Sequence, residues 1–315
     1  MSVFYVSSCV EDGGLYRYLL NKDGTLNYQG KIPANKPMYA VFKNEKLYVL
    51  EREPSAESSD SMLRVIDVSK EGIFKDACRA MSTGGVCAPH LCIKDGIPYV
   101  VNYLSGSVRK LPYRTVMHEG SSVHPTRQEA PHPHFITEAP DGYLLVCDLG
   151  TDCIYTYDAD LNRVYETAVK AGNGPRHLVF SADGNHVFCA NELSSTVSMY
   201  RYCKGCLQLL DEKPTLPDEF NGENTAAAIR FDEDRVYVSN RGHNSIACLR
   251  AEEDSLLPER FIPCYGSGPR DFDIVDNLII SANETSDSVT VIDLKSGKLL
   301  SETSLPKPLC VTVIG

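Results

Sequence analysis

The feature that most constrains this chain is a short pattern that returns seven times: two or three apolar, β-favouring residues, then a small residue or an Asn, Asp or Glu. It reads Tyr5-Val6-Ser7-Ser8, Tyr48-Val49-Leu50-Glu51, Tyr99-Val100-Val101-Asn102 and Leu145-Val146-Cys147-Asp148. It returns as Phe188-Cys189-Ala190-Asn191, Tyr237-Val238-Ser239-Asn240 and Ile280-Ser281-Ala282-Asn283. Successive occurrences start 43 to 51 residues apart. Each is long enough for one strand, and a period of roughly 40–50 residues is that of a four-stranded propeller blade. The flanks agree. Strand-like runs opening at a proline come before (Pro89-His90-Leu91, Pro133-His134-Phe135, Pro175-Arg176-His177, Pro269-Arg270-Asp271), and alternating runs follow at 152–157, 196–200 and 288–291. No segment sustains a 3.6-residue period over a helix length. The expected fold is all-β, a seven-bladed β-propeller occupying 1–315 as a single domain. The first station has no strand before it, while the chain ends on a spare run, Leu309-Cys310-Val311-Thr312-Val313-Ile314. That run is expected to join the N-terminal strands in one blade, which removes two exposed edges.

Composition narrows the function classes. Hydrophobic residues make up 43% and charged residues 23%, as in soluble globular proteins. The net charge of -11 argues against a nucleic-acid or anionic-membrane partner, although a few local arginines can still bind a small anion. No apolar run reaches the length of a membrane span and the start lacks a basic, signal-like region, so a cytoplasmic location is expected. The absence of Trp weighs against a repeat ending in Trp-Asp. The twelve Cys are scattered, several inside apolar runs (Cys147, Cys189, Cys248, Cys310), which points to buried thiols rather than disulfides. Cys203-Lys204-Gly205-Cys206 is a single CxxC with no second pair and no helical pattern after it, and reads as a hairpin turn. Two intervals carry insertions: a Ser/Glu-rich loop at 54–62, and an irregular charged segment at 117–130 that is a candidate functional loop.

The candidate site grows from the hairpin at 174–193. Its turn contains Asp183-Gly184, and an antiparallel pairing brings Arg176 at one end beside Glu192 at the other. An exposed Arg–Glu pair alone would be a weak surface contact. In a propeller, however, the starts of the inner strands and the ends of the second strands meet at one mouth. That register gathers His90, His134, Arg176 and Arg270 with Glu51, Asn102, Asp148, Glu192, Asn240 and Arg241. The arginines offer fixed positive charge, Glu192 a carboxylate and His134 a proton mover near neutral pH. The Asn at equivalent stations (Asn102, Asn191, Asn240, Asn283) are expected to secure loops, with Asn102 the best functional exception. An Asp/Asn/Glu ring could hold Ca²⁺, but arginines in the same ring oppose a cation, so neither metal nor cofactor is expected.

With these residues in place the chain resembles the lactonase family of seven-bladed propellers, which includes bacterial 6-phosphogluconolactonases and a fungal carboxy-muconate lactonising enzyme. The resemblance covers essentially the whole chain. Its anchors are Gly174-Pro175-Arg176-His177 through Asn191-Glu192-Leu193 and Val238-Ser239-Asn240-Arg241-Gly242-His243-Asn244-Ser245. Arg127-Gln128, Pro131-His132-Pro133-His134, Asp148-Leu149-Gly150-Thr151-Asp152, Ala88-Pro89-His90 and Asn102-Tyr103 add to them. It implies a catalytic set of His134, Arg176, Glu192 and Arg241, with His132 competing for the role of His134. Glu51, His90, Asn102, His177 and Arg270 would line the substrate. The implied reaction is hydrolysis of a small anionic sugar lactone, 6-phosphoglucono-δ-lactone, as in the pentose phosphate pathway, with either His134 or Glu192 as the base. A muconate-type cycloisomerase and a non-catalytic binding platform are the alternatives. The chain departs from the family pattern at Glu51, which lacks the usual preceding Asn, and at Arg230, where a His is common. The oligomeric state is open.

Overall fold

A computed structural model describes residues 1–52 and 59–314, with the backbone alone at 77 and 78. The Ser/Glu-rich insertion at 54–62 therefore lies largely outside the described residues. Those residues hold 28 strands and no helix, and so no helix long and apolar enough to cross a membrane. The strands form seven four-stranded antiparallel sheets, the blades of a seven-bladed β-propeller. Six are meanders of consecutive strands. The seventh is completed from the other end of the chain: Pro308–Ile314 pairs antiparallel with Ser2–Ser8, which in turn pairs with Gly14–Leu20. The spare C-terminal run thus closes the first blade, as the sequence requires.

By internal contacts the chain divides into two compact units. One is Met1–Ala88 with Pro263 to the C-terminus and carries three sheets; the other is Pro89–Ile262 and carries four. In each, the second strands of the blades read as unbroken apolar runs because both faces are covered. In Ser2–Ser8, Phe4 and Val6 pack with Ile280 and Val291, whereas Tyr5 between them packs with Leu47, Val49 and Ile66. In the second unit Leu145, Cys147 and Ile154 meet Leu178, Val187, Cys189 and Tyr200. The cysteines at 147, 189, 248 and 310 are buried free thiols. Cys203 and Cys206 flank a two-residue hairpin turn, as expected.

Two local rules of the repeat matter for the site. The Asn that ends a second strand is fully buried at 102, 191, 240 and 283. Asn191 donates to the hydroxyls of Thr196 and Ser198 (2.9 and 2.8 Å), Asn283 to Thr290 (3.1 Å) and Asn102 to Ser107 (3.0 Å). Asn240 uses a backbone acceptor, the Thr215 carbonyl at 2.6 Å. The structural role holds, and three of the four are tied to hydroxyls of the next strand. The second rule concerns the inner strand. At Pro37/Tyr39, Pro133/Phe135, Pro175/His177 and Pro269/Asp271 the register shifts, leaving the residue after the proline without a cross-strand partner. Such a bulge re-aims one side chain. The side chains so placed are Met38, His134, Arg176 and Arg270.

Candidate active site

Two ends of one hairpin begin the site. Arg176 sits in the bulge of Pro175–Phe180, and Glu192 follows His186–Asn191, its backbone N–H bonded to the Gly174 carbonyl at 2.7 Å. Gly174 takes φ +63°, and a Cβ there would lie 2.6 Å from Leu193, so this crossing needs glycine. Arg176 Nε lies 2.8 Å from Glu192 Oε2 with side-chain exposures of 3% and 4%. The pair is thus buried, unlike the exposed contact a lone hairpin would give. Arg241, ending Arg235–Arg241, brings a second guanidinium to the same oxygen at 3.1 Å. Arg127 brings a third to Oε1 at 2.6 Å. Burial alone would raise the Glu192 carboxyl, but Arg241, Arg176, His134 and Arg127 together hold it well below the usual carboxylate range. It is therefore an ionised acceptor and a poor proton acceptor.

Arg127 comes from the irregular segment singled out in the sequence, and the segment is tightly tied. One carboxylate holds both its ends. Asp148 Oδ1 accepts the backbone N–H groups of His132 (2.7 Å), Gly150 (3.0 Å) and Thr151 (3.2 Å). His118 bridges two partners, its Nδ1 2.6 Å from Asp148 Oδ2 and its Nε2 2.8 Å from the Tyr157 hydroxyl. Between these ends Gln128, fully buried, donates to the Leu149 carbonyl at 2.8 Å and accepts the His124 N–H at 3.0 Å. A Cβ at Gly150 would lie 1.9 Å from the Ala130 carbonyl oxygen, so only glycine lets these chains approach. The sequence reading placed the segment but gave Arg127 and His118 no role. The signal was there in the length of the interval; the contact with Glu192, 65 positions on, was not.

The histidines form a second, apolar-walled group. His134, buried in its bulge, has Tyr103 edge-on at 5.8 Å and His177 at 5.3 Å between ring centroids. His177 packs on Phe135 and His90, and its Nε2 faces Arg176 Nη1 at 3.1 Å, so Nε2 accepts and the proton sits on Nδ1. Burial, with the positive charge of Arg176, pushes His177 well below its ordinary pKa. His90 is pushed the same way by burial and by Arg230 and Arg176, and its Nδ1 accepts the Ile136 N–H at 3.4 Å. Both rings are neutral at physiological pH. Arg230, the departure from the family pattern, thus stands among the cations of this group. His132 is differently employed: stacked on Tyr103 at 4.3 Å, its Nδ1 bonded to the Tyr103 carbonyl at 3.0 Å and its Nε2 3.6 Å from Glu129.

His90, His134, Arg176, His177, Glu192 and Arg241 all lie in the unit Pro89–Ile262. Asn102 does too, holding Ser107 as its counterparts hold theirs. Glu51 and Arg270 belong to the other unit and are engaged there. Glu51 pairs with Arg64 at 3.1 Å and accepts the Asn35 N–H at 3.0 Å, its carboxyl raised by burial against the pull of Arg64. Arg270 pairs with Glu284 at 3.1 Å. Among the described residues no group of three or more His, Cys, Asp or Glu is gathered as a metal would need.

Comparison with known proteins places this architecture. A family model described as "Lactonase, 7-bladed beta-propeller" matches residues 3–313. An uncharacterized protein of Staphylococcus epidermidis is 33% identical over 95% of each chain, and one of Staphylococcus aureus is 32% identical over 89% of this chain and 88% of its own. The crystal structure of a Lactobacillus plantarum protein superposes with a TM-score of 0.89 at 28% identity, covering 99% of each chain. The periplasmic gluconolactonase of Pseudomonas aeruginosa superposes with a TM-score of 0.87 over 99% of each chain, but at 22% identity this likeness is one of fold alone.

Proposed function

Since the chain belongs to the lactonase family of seven-bladed β-propellers, we propose that it is a hydrolase that opens a sugar-acid lactone bearing an anionic group, with 6-phosphoglucono-δ-lactone as substrate and 6-phosphogluconate as product. The observation that carries this reading is one buried carboxylate gripped by three guanidiniums. Three positive charges against one negative leave a cationic excess inside a protein of net charge -11. Such an excess suits an anionic ligand and a transition state that develops negative charge.

His134 is the general base. It takes a proton from water as the water oxygen attacks the lactone carbonyl carbon. Arg176 and Arg241 stabilise the resulting oxyanion. Collapse of the tetrahedral intermediate breaks the bond to the ring oxygen, and protonated His134 returns the proton to that oxygen, giving the open hydroxy acid. Glu192 is a poor candidate for the base because the arginines lower its affinity for a proton; its part is to fix their directions. Arg127, with 37% of its side chain exposed, is placed to meet the anionic group of the incoming substrate. His132, with both ring nitrogens facing oxygens of its own surroundings, is a structural residue. Loss of a general base costs about 10²–10⁴ in rate. The test is lactone decay followed continuously against its spontaneous hydrolysis, for the wild type and His134→Ala. The expected result is enzyme-dependent decay that the variant loses; equal rates would overturn the hydrolase reading. If muconates are turned over and the lactone is not, the reaction is cycloisomerisation.

A further inference from the structure

We propose that Cys203 and Cys206 form a reversible disulfide site on the surface of the fold, independent of the lactone site. They face one another as the pair that closes the hairpin between Thr196–Cys203 and Cys206–Pro214. The turn between them is Lys204-Gly205, at φ +49° and +83°, the left-handed pair of a type I′ hairpin. A directly opposed, hydrogen-bonded pair in an antiparallel ladder has its Cα atoms about 5.5 Å apart, inside the range a disulfide bridges without moving the backbone. Both thiols are exposed. Every other described cysteine is buried or half-buried, so an oxidant in solution meets these two first.

The hairpin tip is also held still. Thr156 Oγ1 donates to the Gly205 carbonyl at 2.7 Å, Tyr202 donates from its backbone to the Asn185 carbonyl at 2.8 Å, and the Tyr202 hydroxyl donates to Asp141 at 2.6 Å. A Cβ on Gly205 would lie 2.9 Å from Thr156 and 3.3 Å from both Tyr143 and Tyr165. The opposed thiols therefore stay opposed, which favours ring closure over two separate adducts. Because only two residues lie between them, the bridge constrains the unfolded chain less than one that closes a longer loop. Exposed bridges of this kind belong to the labile class.

The step is thiol–disulfide exchange with a low-molecular-weight disulfide. One thiolate attacks a sulfur of that disulfide and expels a small thiolate. The second cysteine's thiolate then attacks the first cysteine's Sγ in the mixed disulfide, forming the Cys203–Cys206 bond and expelling the other small thiolate. Two electrons pass to the oxidant, two protons leave the cysteines, and two small thiols form. The test exposes the folded protein to glutathione buffers from fully reduced to fully oxidised, followed by acid quenching, alkylation and intact mass. The wild type is expected to lose two alkylatable thiols and two hydrogens with no lasting adduct, to regain both with dithiothreitol, and to yield a linked Cys203–Cys206 peptide. Cys203→Ser and Cys206→Ser are each expected to retain one glutathione. Two glutathione adducts on the wild type, or Cys203 and Cys206 still alkylatable in fully oxidised buffer, would overturn the proposal.

Discussion

Two hairpins of this protein carry the same signature and end differently. Pro175–Phe180 and Pro269–Val275 both open with Pro-Arg, bulge at the arginine, and pair with a second strand that ends in Asn followed by Glu. Both place the Arg and the Glu in contact: Arg176–Glu192 at 2.8 Å and Arg270–Glu284 at 3.1 Å. The difference lies in what surrounds them. Arg176 and Glu192 are 3% and 4% exposed, and Arg241 and Arg127 close on the same carboxylate. Arg270 and Glu284 are 24% and 33% exposed, and Glu284 has only Arg270 as an ion-pair partner among the described residues. The blade supplies the pair in both units. Further cations and burial set one of them apart, as a carboxylate with three guanidinium partners.

The comparison can be broken most forcefully at the carboxylates. Glu192→Gln leaves the buried Arg176 without its counter-charge, and Arg241 and Arg127 beside it, and is expected to cost roughly 3–5 kcal/mol of stability. Glu284→Gln, at a half-exposed pair, is expected to cost less than about 1 kcal/mol. Denaturant unfolding of both variants checks this, and equal losses would dissolve the distinction. Next comes the staple behind Arg127. Asp148→Asn keeps an acceptor for the His132 N–H but loses the charge that binds His118, and is expected to cost about 2 kcal/mol and to weaken turnover as the segment loosens. Arg127→Gln removes one charge-assisted contact from a partly exposed position. Its expected effect is about a ten-fold fall in kcat/KM, mostly in KM, with little change in stability.

Acid gives a gentler probe of the same pair. The folded-state pKa of Glu192 is depressed below that of the unfolded chain, where it is near the ordinary 4.5. In the unfolded chain it takes up a proton first as pH falls, so its contribution is full above that value and is lost progressively below it toward the folded pKa. The wild type is therefore expected to lose stability on acidification below about pH 4.5 more steeply than Glu192→Gln. Parallel slopes would mean that the arginines do not hold the carboxylate as described.

Much of this was legible in the chain itself. The recurring stations fixed the strand count, because a strand that is buried on both faces must read as an apolar run, as Tyr5-Val6 and Phe188-Cys189-Ala190 do. The spare run at 309–314 could only pair with the first blade. The contact of Arg176 with Glu192 followed from hairpin pairing alone. Burial did not follow, since it depends on neighbouring strands, and the identical signature at Arg270 came out half-exposed. Arg127 was invisible as a ligand of Glu192 because an irregular segment has no period from which to project a side chain. Its path depends on Asp148 binding His118 and His132 at once, a tertiary contact. Of the asparagines expected to secure loops, Asn240 does bond a loop carbonyl, while Asn102, Asn191 and Asn283 hold hydroxyls at the start of the next strand.

The most direct test of the central claim sets the two arginines side by side. Arg176→Lys and Arg270→Lys each keep the charge and lose the planar fork, which limits damage to the fold. Lactone decay is followed continuously for both variants and the wild type against the spontaneous rate. The account predicts that Arg176→Lys lowers the enzymic rate about ten- to a hundred-fold, the size expected for one oxyanion or charge-assisted contact, while Arg270→Lys stays at the wild-type rate. Equal losses in the two variants, or none at Arg176→Lys, would contradict it.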